Sequence, residues 1–316
     1  MSTTEQVDAA VRFDGQVAIV TGAGNGLGRE YALQLAARGA AVVCNDLVAE
    51  AAESTSATIT ASGGRAVPET SSVATWAGGK ALTRCALDAF GALHVVINNA
   101  GQLRNAAFEE LTEDDVDGVL GTHLAGAFHV TQPAYRHMKE AGYGRVVFTS
   151  SSASFGSPWQ ANYAAAKAGL LGLCNTVALE GAQHGIRANA VMPMALTDIG
   201  GSGPPPYPPD LLAETVQALR PLAPLMTVEQ VAPVVLHLAS RECDLTGRTY
   251  SVGCGRVAEV FLGVTRGWCA PDPEPVAPEA VARHLDAIGD REGFTSPDTM
   301  LDEARSVADR LRSARG

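Results

Sequence analysis

The feature that most constrains the fold is an alternation of short, apolar, β-branched runs with longer segments of helical periodicity. The apolar runs cover residues 16–20, 41–45, 65–67, 93–97 and 145–148, and the helical segments cover residues 29–38, 49–62, 78–89, 119–130 and 163–180. A strand buried on both faces has such a continuous apolar run, and parallel strands are joined by helical crossovers. The sequence therefore predicts an α/β fold with a doubly wound parallel sheet and helices on both faces.

Charge and composition exclude several classes of protein. The formal net charge of −11 argues against non-specific nucleic-acid binding, because Lys and Arg supply the affinity for polyanions. No apolar run approaches the roughly 20 residues that span a bilayer, and the first residues lack the order of a signal peptide. The six cysteines are scattered without ligand spacing, so we expect buried thiols and no metal site. These observations predict a cytoplasmic protein that binds neither nucleic acid nor membrane.

The first apolar run ends in a glycine-rich turn, residues 21–28, and a helix follows. Strand, glycine turn and helix together aim free backbone N–H groups at a diphosphate, and glycine allows the close approach of backbone and ligand. We interpret the turn as a nucleotide-binding site rather than a plain tight turn.

The second run ends at Asp46. A carboxylate in this place accepts hydrogen bonds from an adenosine ribose and repels a 2′-phosphate, and no Arg follows directly to bind that phosphate. Asp46 therefore favours NAD over NADP; the alternative is a solvated Asp at a strand end.

Small and polar residues also follow the fourth and fifth runs. These are Asn98, Asn99, Ala100 and Gly101 after the fourth, and Thr149, Ser150, Ser151 and Ser152 after the fifth. Ligands of doubly wound sheets bind beyond the carboxyl ends of the strands. We expect these segments to meet the glycine turn and Asp46 at one small-molecule site.

Tyr163 and Lys167 lie four residues apart in a helical segment rich in Ala and Leu, so they share one helix face. The ordinary pKa of a phenol is about 10, and a neighbouring ammonium group is expected to lower it. Such a tyrosine can take a proton from an alcohol or return one to a developing alkoxide. The alternative is a pair that merely shares a helical face.

In the order and spacing of these motifs, residues 13–255 resemble the short-chain dehydrogenase/reductase family. The resemblance implies a Rossmann-type fold, a nicotinamide cofactor, a Ser-Tyr-Lys site and a homodimer or homotetramer. It implies that NAD contacts Gly22, Asn25, Gly26, Leu27, Gly28, Asp46, Asn99, Ala100, Gly101, Tyr163, Lys167 and Pro193. Several stretches are similar to the (3R)-hydroxyacyl-CoA dehydrogenase module of multifunctional β-oxidation enzymes and to bacterial hydroxysteroid relatives: residues 12–15, 44–47, 86–91, 123–126, 160–163 and 278–281.

The chain departs from the family pattern at three positions. His123 stands where most members have the Asn of a proton relay, and its charge can change near neutral pH. Met194 follows Pro193 in place of the usual Gly, and Ser71 replaces an Asp near the adenine. The catalytic serine is ambiguous: counting from the strand selects Ser151, which we prefer, and counting back from Tyr163 selects Ser150.

The resemblance and the composition predict three regions. Residues 1–12 form a flexible arm, residues 13–260 a dinucleotide-binding catalytic domain, and residues 261–316 a helical C-terminal extension. Residues 198–211 are rich in Pro and Gly and are expected to form an irregular lid. In the extension, one helix is predicted to begin at Pro278 and another to be capped at residues 296–297. Their apolar stripes are expected to pack on the same domain or on a partner subunit.

Three functions are compatible with these features. We favour an NAD-dependent dehydrogenase of a (3R)-3-hydroxyacyl-CoA, which needs Lys or Arg at the mouth of its pocket; Arg283, Arg291 and Arg310 are candidates. The alternative is a 17β-type hydroxysteroid or other apolar secondary-alcohol dehydrogenase. A nucleotide-sensing regulator without turnover is disfavoured by the complete Ser-Tyr-Lys set.

Overall fold

The computed structural model describes residues 11–197, 199, 207–270 and 276–315, with side chains as far as residue 312. Most of the predicted arm, residues 1–12, therefore lies outside the described residues. The chain divides into two compact units, of which the first ends at Glu259 and the second begins at Val260.

The first unit is built on an eight-stranded sheet with the order β3-β2-β1-β4-β5-β6-β7-β8. Its strands are β1 (Val17–Thr21), β2 (Ala41–Asn45), β3 (Arg65–Glu69), β4 (Val95–Asn98), β5 (Gly144–Thr149), β6 (Ile186–Pro193), β7 (Thr249–Gly253) and β8 (Arg256–Val260). Each pair from β3 to β7 is parallel. The strand order reverses direction at β1 and β4, as in a doubly wound sheet.

Helices cover both faces of this sheet. They are α1 (Gly26–Ala37), α2 (Ala49–Ala61), α3 (Trp76–Phe90), α4 (Glu113–Leu120), α5 (Gly126–Ala141), α6 (Ala161–Gly181), α7 (Pro209–Leu219) and α8 (Ala232–Ala239). One buried cluster joins the sheet to α1, α2 and α8, and a second joins it to α3, α5 and α6. The Rossmann-type fold predicted from the sequence is confirmed.

The register brings the carboxyl ends of the central strands together. Thr21 pairs with Asn45, and Asn98 pairs with Phe148, so β1, β2, β4 and β5 end at one edge of the sheet. The glycine turn, Asp46 and the polar segments at residues 98–101 and 149–152 lie at the ends of these strands. The edge is therefore the place where the candidate site forms.

The segment 119–130 is helical, as predicted, but the helical structure extends beyond it at both ends and contains a π-helical turn. Helical structure begins after Thr112, whose side chain forms a capping box with Asp115, and continues to the end of α5. Between α4 and α5, residues Gly121–Ala125 form a π-helical turn that contains His123. Such a turn holds one extra residue, which hydrophobic periodicity does not show.

The predicted lid is irregular over less of its length than expected. Residues 198 and 200–206 lie outside the described residues, but α7 begins at Pro209. A proline is tolerated in the first helical turn because its missing N–H has no intrahelical partner there. The last residues of the proline-rich stretch therefore form the first turn of α7.

The second unit contains α9 (Pro278–Arg283), α10 (Leu285–Gly289) and α11 (Met300–Arg315). The helix predicted to begin at Pro278 does so but is interrupted at His284, so its apolar residues belong to two short helices. The second predicted helix begins later than residues 296–297. Its first turn is capped by Thr299, whose hydroxyl accepts a hydrogen bond from the Asp302 N–H (3.1 Å).

Candidate active site

The glycine turn between β1 and α1 is a tight cradle beside Asp46. Gly22 and Gly26 have positive φ angles, +65° and +52°, which side chains rarely adopt. A Cβ on Gly28 would lie 2.0 Å from the Gly22 carbonyl oxygen. The Gly24 N–H donates to the Asp46 carboxylate (3.0 Å), which fixes the end of β2 against the turn.

Within the part of the chain that the structure describes, the first backbone N–H groups of α1 have no hydrogen-bond partner. Asn25 is the N-cap residue but makes no side-chain cap, so the N–H groups of the first turn are not used by it. Leu27 is partly buried against the core that joins α1 to the sheet, which holds the start of the helix in place. Free N–H groups in a cradle that admits no Cβ fit the diphosphate of a dinucleotide.

Thr21 ties the glycine turn to the segment after β4. Its hydroxyl accepts hydrogen bonds from the N–H groups of Asn99 (2.9 Å) and Ala100 (3.0 Å). The Asn99 side-chain amide donates in turn to the carbonyl oxygens of Thr21 (3.1 Å) and Gly22 (3.3 Å). Asn99 and Ala100 therefore lie beside the turn, as the sequence predicts, but the anchoring role of Thr21 was not foreseen.

The loop after β6 passes the same turn. Pro193 ends β6, and the Met194 N–H donates to the Val252 carbonyl oxygen (2.7 Å). Farther along the loop, the Thr197 methyl group would be 3.3 Å from a Cβ on Gly26. Pro193 thus belongs to the segment that closes over the cradle.

Tyr163 and Lys167 face one another on α6, with the Lys167 nitrogen 5.4 Å from the centre of the Tyr163 ring. The Lys167 side chain is buried, and its ammonium donates to the Thr149 carbonyl oxygen at the end of β5 (2.5 Å). Burial lowers the pKa of Lys167 to about 7. The hydrogen bond between Lys167 and Thr149 therefore links α6 to the carboxyl edge of the sheet.

The pKa of Tyr163 differs from the sequence-based expectation. Burial raises it, and this effect exceeds the lowering that comes from a hydrogen bond with Ser151. The ammonium of Lys167, 5.4 Å from the centre of the ring, does not offset the effect of burial. In the chain alone, Tyr163 is a protonated phenol at neutral pH.

The two candidate serines have different surroundings. Ser150 is buried, and its hydroxyl donates to the Lys167 carbonyl oxygen (2.8 Å). The Ser151 hydroxyl accepts from the Ala153 N–H (3.1 Å), and its interaction with the phenol lowers the pKa of Tyr163. The geometry brings Ser151, not Ser150, to the phenol.

His123 is buried against the ring of Tyr163, edge to face at 5.1 Å between centroids. Its Nε2 lies 2.8 Å from the Gln102 carbonyl oxygen and 3.0 Å from the Gln102 backbone nitrogen, whose N–H donates to it, so the backbone of Gln102 holds the ring in place. Burial, and to a smaller extent the charge of Lys167, lower the pKa of His123 to about 3. The expectation that its charge changes near neutral pH is therefore not met. Gly101 packs against this ring, since a Cβ there would lie 2.3 Å from the His123 Cε1.

A small cavity of about 10 Å³ separates His123 from Lys167. Asn98 and Thr149 also line it, and the Nδ1 of His123 is a buried polar atom without a partner among the described residues. A cavity of this size holds about one water molecule. The space therefore fits a single water between the imidazole and the ammonium.

A larger cavity of about 320 Å³ opens on the other side of Ser151. We call it the Ser151 cavity; it is lined by Ser151, Ser152, Ala153, Gly156, Ser157, Pro158, Gln160, Tyr207, Leu211, Thr215 and Leu219. None of these side chains is charged. Sequence analysis did not identify Tyr207, because it lies in a proline-rich stretch without a motif.

Arg310 is one of the arginines predicted to lie at the mouth of a CoA pocket. In the second unit, the Arg310 guanidinium donates to the carbonyl oxygens of Arg266 and Gly267, which gives it a structural role there.

Among the residues that the structure describes, no group of three or more His, Cys, Asp or Glu is arranged to hold a metal ion. No described helix combines the length and the apolar character needed to cross a membrane.

Comparisons with known proteins agree with this geometry. The family model of the short chain dehydrogenases matches residues 16–201. Over 95% of its length the chain is 39% identical to peroxisomal multifunctional enzyme type 2 of Mus musculus, of which it covers 40%. It is 45% identical over 78% of its length to a putative short-chain type dehydrogenase/reductase of Mycobacterium tuberculosis, of which it covers 85%.

Among solved structures, full-length peroxisomal multifunctional enzyme type 2 of Drosophila melanogaster matches 96% of the chain with a TM-score of 0.78 and 32% identity. The chain covers 51% of that structure, so it spans about half the length of these multifunctional relatives or less. The match to the family model extends over more than half of the chain. The chain belongs to the short-chain dehydrogenase/reductase family, whose members use nicotinamide dinucleotides, and it is an oxidoreductase that acts on CH–OH groups.

Proposed function

We propose that the chain is an NAD-dependent dehydrogenase that oxidises a (3R)-3-hydroxyacyl-CoA to the corresponding 3-oxoacyl-CoA. The observation that carries this proposal is the extent of the match to the mouse multifunctional enzyme. It covers 95% of the chain and so continues beyond residue 201, where the general family model ends. The likeness therefore includes much of the C-terminal extension as well as the dinucleotide-binding region.

Asp46 supports NAD as the cofactor. Its carboxylate sits against Gly24 and also accepts from the Val48 N–H (3.0 Å), which holds it at the end of β2. A carboxylate in this place binds the two ribose hydroxyls of NAD and repels the 2′-phosphate of NADP. We expect kcat/KM to be at least about tenfold higher with NAD than with NADP, and Asp46→Ala to reduce this preference. Equal rates with both cofactors in the unmodified enzyme would exclude this assignment.

Bound nicotinamide supplies hydride transfer, and the chain supplies geometry and proton movement. In the direction of ketone reduction, protonated Tyr163 donates its phenolic proton to the substrate oxygen while the Ser151 hydroxyl stabilises the same oxygen. In the direction of alcohol oxidation, Tyr163 first loses its phenolic proton to solvent and then accepts the proton of the substrate hydroxyl. A charged Lys167 ammonium, 5.4 Å from the centre of the ring, favours the phenolate that this step needs. Because the pKa of Lys167 is about 7, its nitrogen is able to gain or lose a proton at neutral pH.

Tyr163→Phe tests the assignment of the proton donor. The variant removes only the phenolic oxygen, so dinucleotide binding should be retained while kcat falls by about 10²–10⁴. Cofactor binding is measured by NADH fluorescence and turnover by NADH absorbance. A purified variant with a near-normal rate would show that another group moves the proton.

A second candidate function is the oxidation of a hydroxysteroid or another apolar secondary alcohol. The Ser151 cavity favours it, because no lining residue is charged and Leu211 and Leu219 make part of the wall apolar. A panel of 3-hydroxyacyl-CoA thioesters and free hydroxysteroids, followed by NADH formation, separates the two functions. Activity on free alcohols alone would replace the first proposal by the second.

We also propose that the enzyme is a cytoplasmic homodimer or homotetramer. On α6, Ala165, Ala168 and Gly172 are exposed, and a Cβ on Gly172 would meet nothing within 4 Å. Small exposed residues allow a second helix to approach closely. Light scattering of the purified protein gives the oligomeric state, and a monomer at micromolar concentration would contradict the proposal.

A further inference from the structure

We propose that Tyr207 is a specificity-determining residue, whose phenol donates a hydrogen bond to a second oxygen of the substrate. In a 3-hydroxyacyl or 3-oxoacyl thioester, this oxygen belongs to the thioester carbonyl, two carbons from the reacting C–O group. The inference rests on the proposed function and names the contact that distinguishes a thioester from a simple alcohol or ketone.

The position of Tyr207 follows from the start of α7. Tyr207, Leu211, Thr215 and Leu219 are spaced four residues apart, and all four line the Ser151 cavity. Side chains at this spacing share one helix face, so α7 and the residue just before it form one wall. Ser151 also lines this cavity, from the loop that follows β5. Tyr207 therefore faces the same space as the serine that contacts Tyr163.

Tyr207 is also close to Tyr163 electrostatically. A negative charge on Tyr207 would raise the pKa of Tyr163, as expected if Tyr207 shares the Ser151 cavity with the serine that interacts with Tyr163. Burial raises the pKa of Tyr207 itself, so its hydroxyl carries a proton at neutral pH. A substrate whose reacting oxygen is held by Tyr163 and Ser151 thus extends towards a second phenolic donor.

Most other polar groups of the cavity already have partners. The Thr215 hydroxyl donates to the Leu211 carbonyl oxygen (2.8 Å), and the Ser157 hydroxyl donates to the Gln160 side-chain oxygen (2.8 Å). The Gln160 amide donates to Asn105 (3.3 Å). Within the described residues, the Tyr207 hydroxyl makes no hydrogen bond, which leaves it as the donor that the α7 wall offers.

The charge of the cavity indicates what kind of oxygen Tyr207 meets. With no Lys or Arg in the lining, the cavity is suited to an uncharged oxygen and not to a phosphate. A carbonyl oxygen accepts a hydrogen bond from a phenol and brings no charge to be compensated. The cavity thus takes the thioester end of the acyl group, while the phosphates of CoA bind elsewhere.

The test compares two substrates that differ in this carbonyl alone. One is acetoacetyl-CoA, and the other is the 3-oxobutyl thioether of CoA, which keeps the ketone and the CoA but has a CH₂ in place of the thioester carbonyl. Tyr207→Phe should lower kcat/KM for acetoacetyl-CoA about fivefold, mainly through KM, because one hydrogen bond is lost. For the thioether, the same substitution should change kcat/KM less than about twofold, since this substrate has no carbonyl to accept a hydrogen bond from Tyr207. NADH oxidation by the purified full chain is followed for both.

Tyr250→Phe is the matched control, because Tyr250 is a partly buried tyrosine of β7 that does not line the cavity. Tyr250→Phe should leave kcat/KM unchanged for both substrates. Melting temperatures should show that both variants are folded. Equal losses on the two substrates with Tyr207→Phe, or no loss on either, would overturn the role of Tyr207 and leave the proposed function in place. If the unmodified enzyme does not reduce acetoacetyl-CoA, the proposed function fails, and the inference fails with it.

Discussion

Burial of Lys167 should make the stability of the enzyme depend on pH in a way that one substitution removes. The pKa of this lysine is about 7 in the folded chain, against an ordinary value of 10.5, because its ammonium is buried. Between these two values the unfolded chain binds more protons than the folded chain, so stability rises with pH. The slope is about 1.4 kcal/mol per pH unit from a single group.

Lys167→Met removes the titrating group and keeps most of the side-chain volume. From pH 7.5 to pH 9.0, the free energy of unfolding of the unmodified protein should therefore rise relative to that of the variant by about 2 kcal/mol. Loss of the hydrogen bond to Thr149 lowers the stability of the variant by an amount that does not depend on pH, so the slope is the informative quantity. Urea unfolding at several pH values, without cofactor, measures it.

Lys139→Met provides the control, because Lys139 is an exposed lysine near the end of α5. The free energy of unfolding of this variant should change with pH in parallel with that of the unmodified protein. If the curve of Lys167→Met also runs parallel, the ammonium is not desolvated as the structure indicates. The assignment of a near-neutral pKa to the lysine beside Tyr163 would then be wrong.

Three further predictions concern the site. Gly28→Ala places a Cβ 2.0 Å from the Gly22 carbonyl oxygen, so titration with NADH should show binding weakened by at least about tenfold; unchanged affinity would mean that the cradle is not the dinucleotide site. Ser151→Ala should lower kcat by about 10²–10³, whereas Ser150→Ala should act mainly on melting temperature; the reverse pattern in paired kinetic and thermal assays would exchange their roles. His123→Asn removes a group whose pKa is about 3, so the pH–rate profile between pH 5 and 8 should keep its shape; loss of an inflection in that range would show that the histidine titrates there.

Much of the fold could be predicted because its signals are local. The apolar runs that become β1, β2, β4 and β5 are continuous and bounded by turn residues, and their order along the chain brings their ends to one edge. The glycines of the segment 21–28, among them Gly22 and Gly28, predict a tight turn without any knowledge of the fold. Asn99 and Ala100 follow a strand directly, so the sheet itself carries them to that turn.

Other features depend on packing that no local pattern contains. The pKa of Tyr163 was expected to fall because of Lys167, but burial of the phenol raises it, and burial is a property of the folded chain. Hydrophobic periodicity does not report the π-helical turn around His123. Tyr207 is placed in the cavity by the onset of α7 at Pro209, within a stretch whose composition suggested an irregular loop throughout.

The π-helical turn between α4 and α5 makes the site sensitive to chain length at one point. A single extra residue rotates everything beyond it by about 100° about the helix axis. Deleting one residue from Gly121–Ala125 would restore regular α-helical geometry and turn either His123 away from Tyr163 or the start of α4 away from its neighbours. In this enzyme, loss of one amino acid from that turn is therefore a more severe change to the active site than most replacements of the same residues.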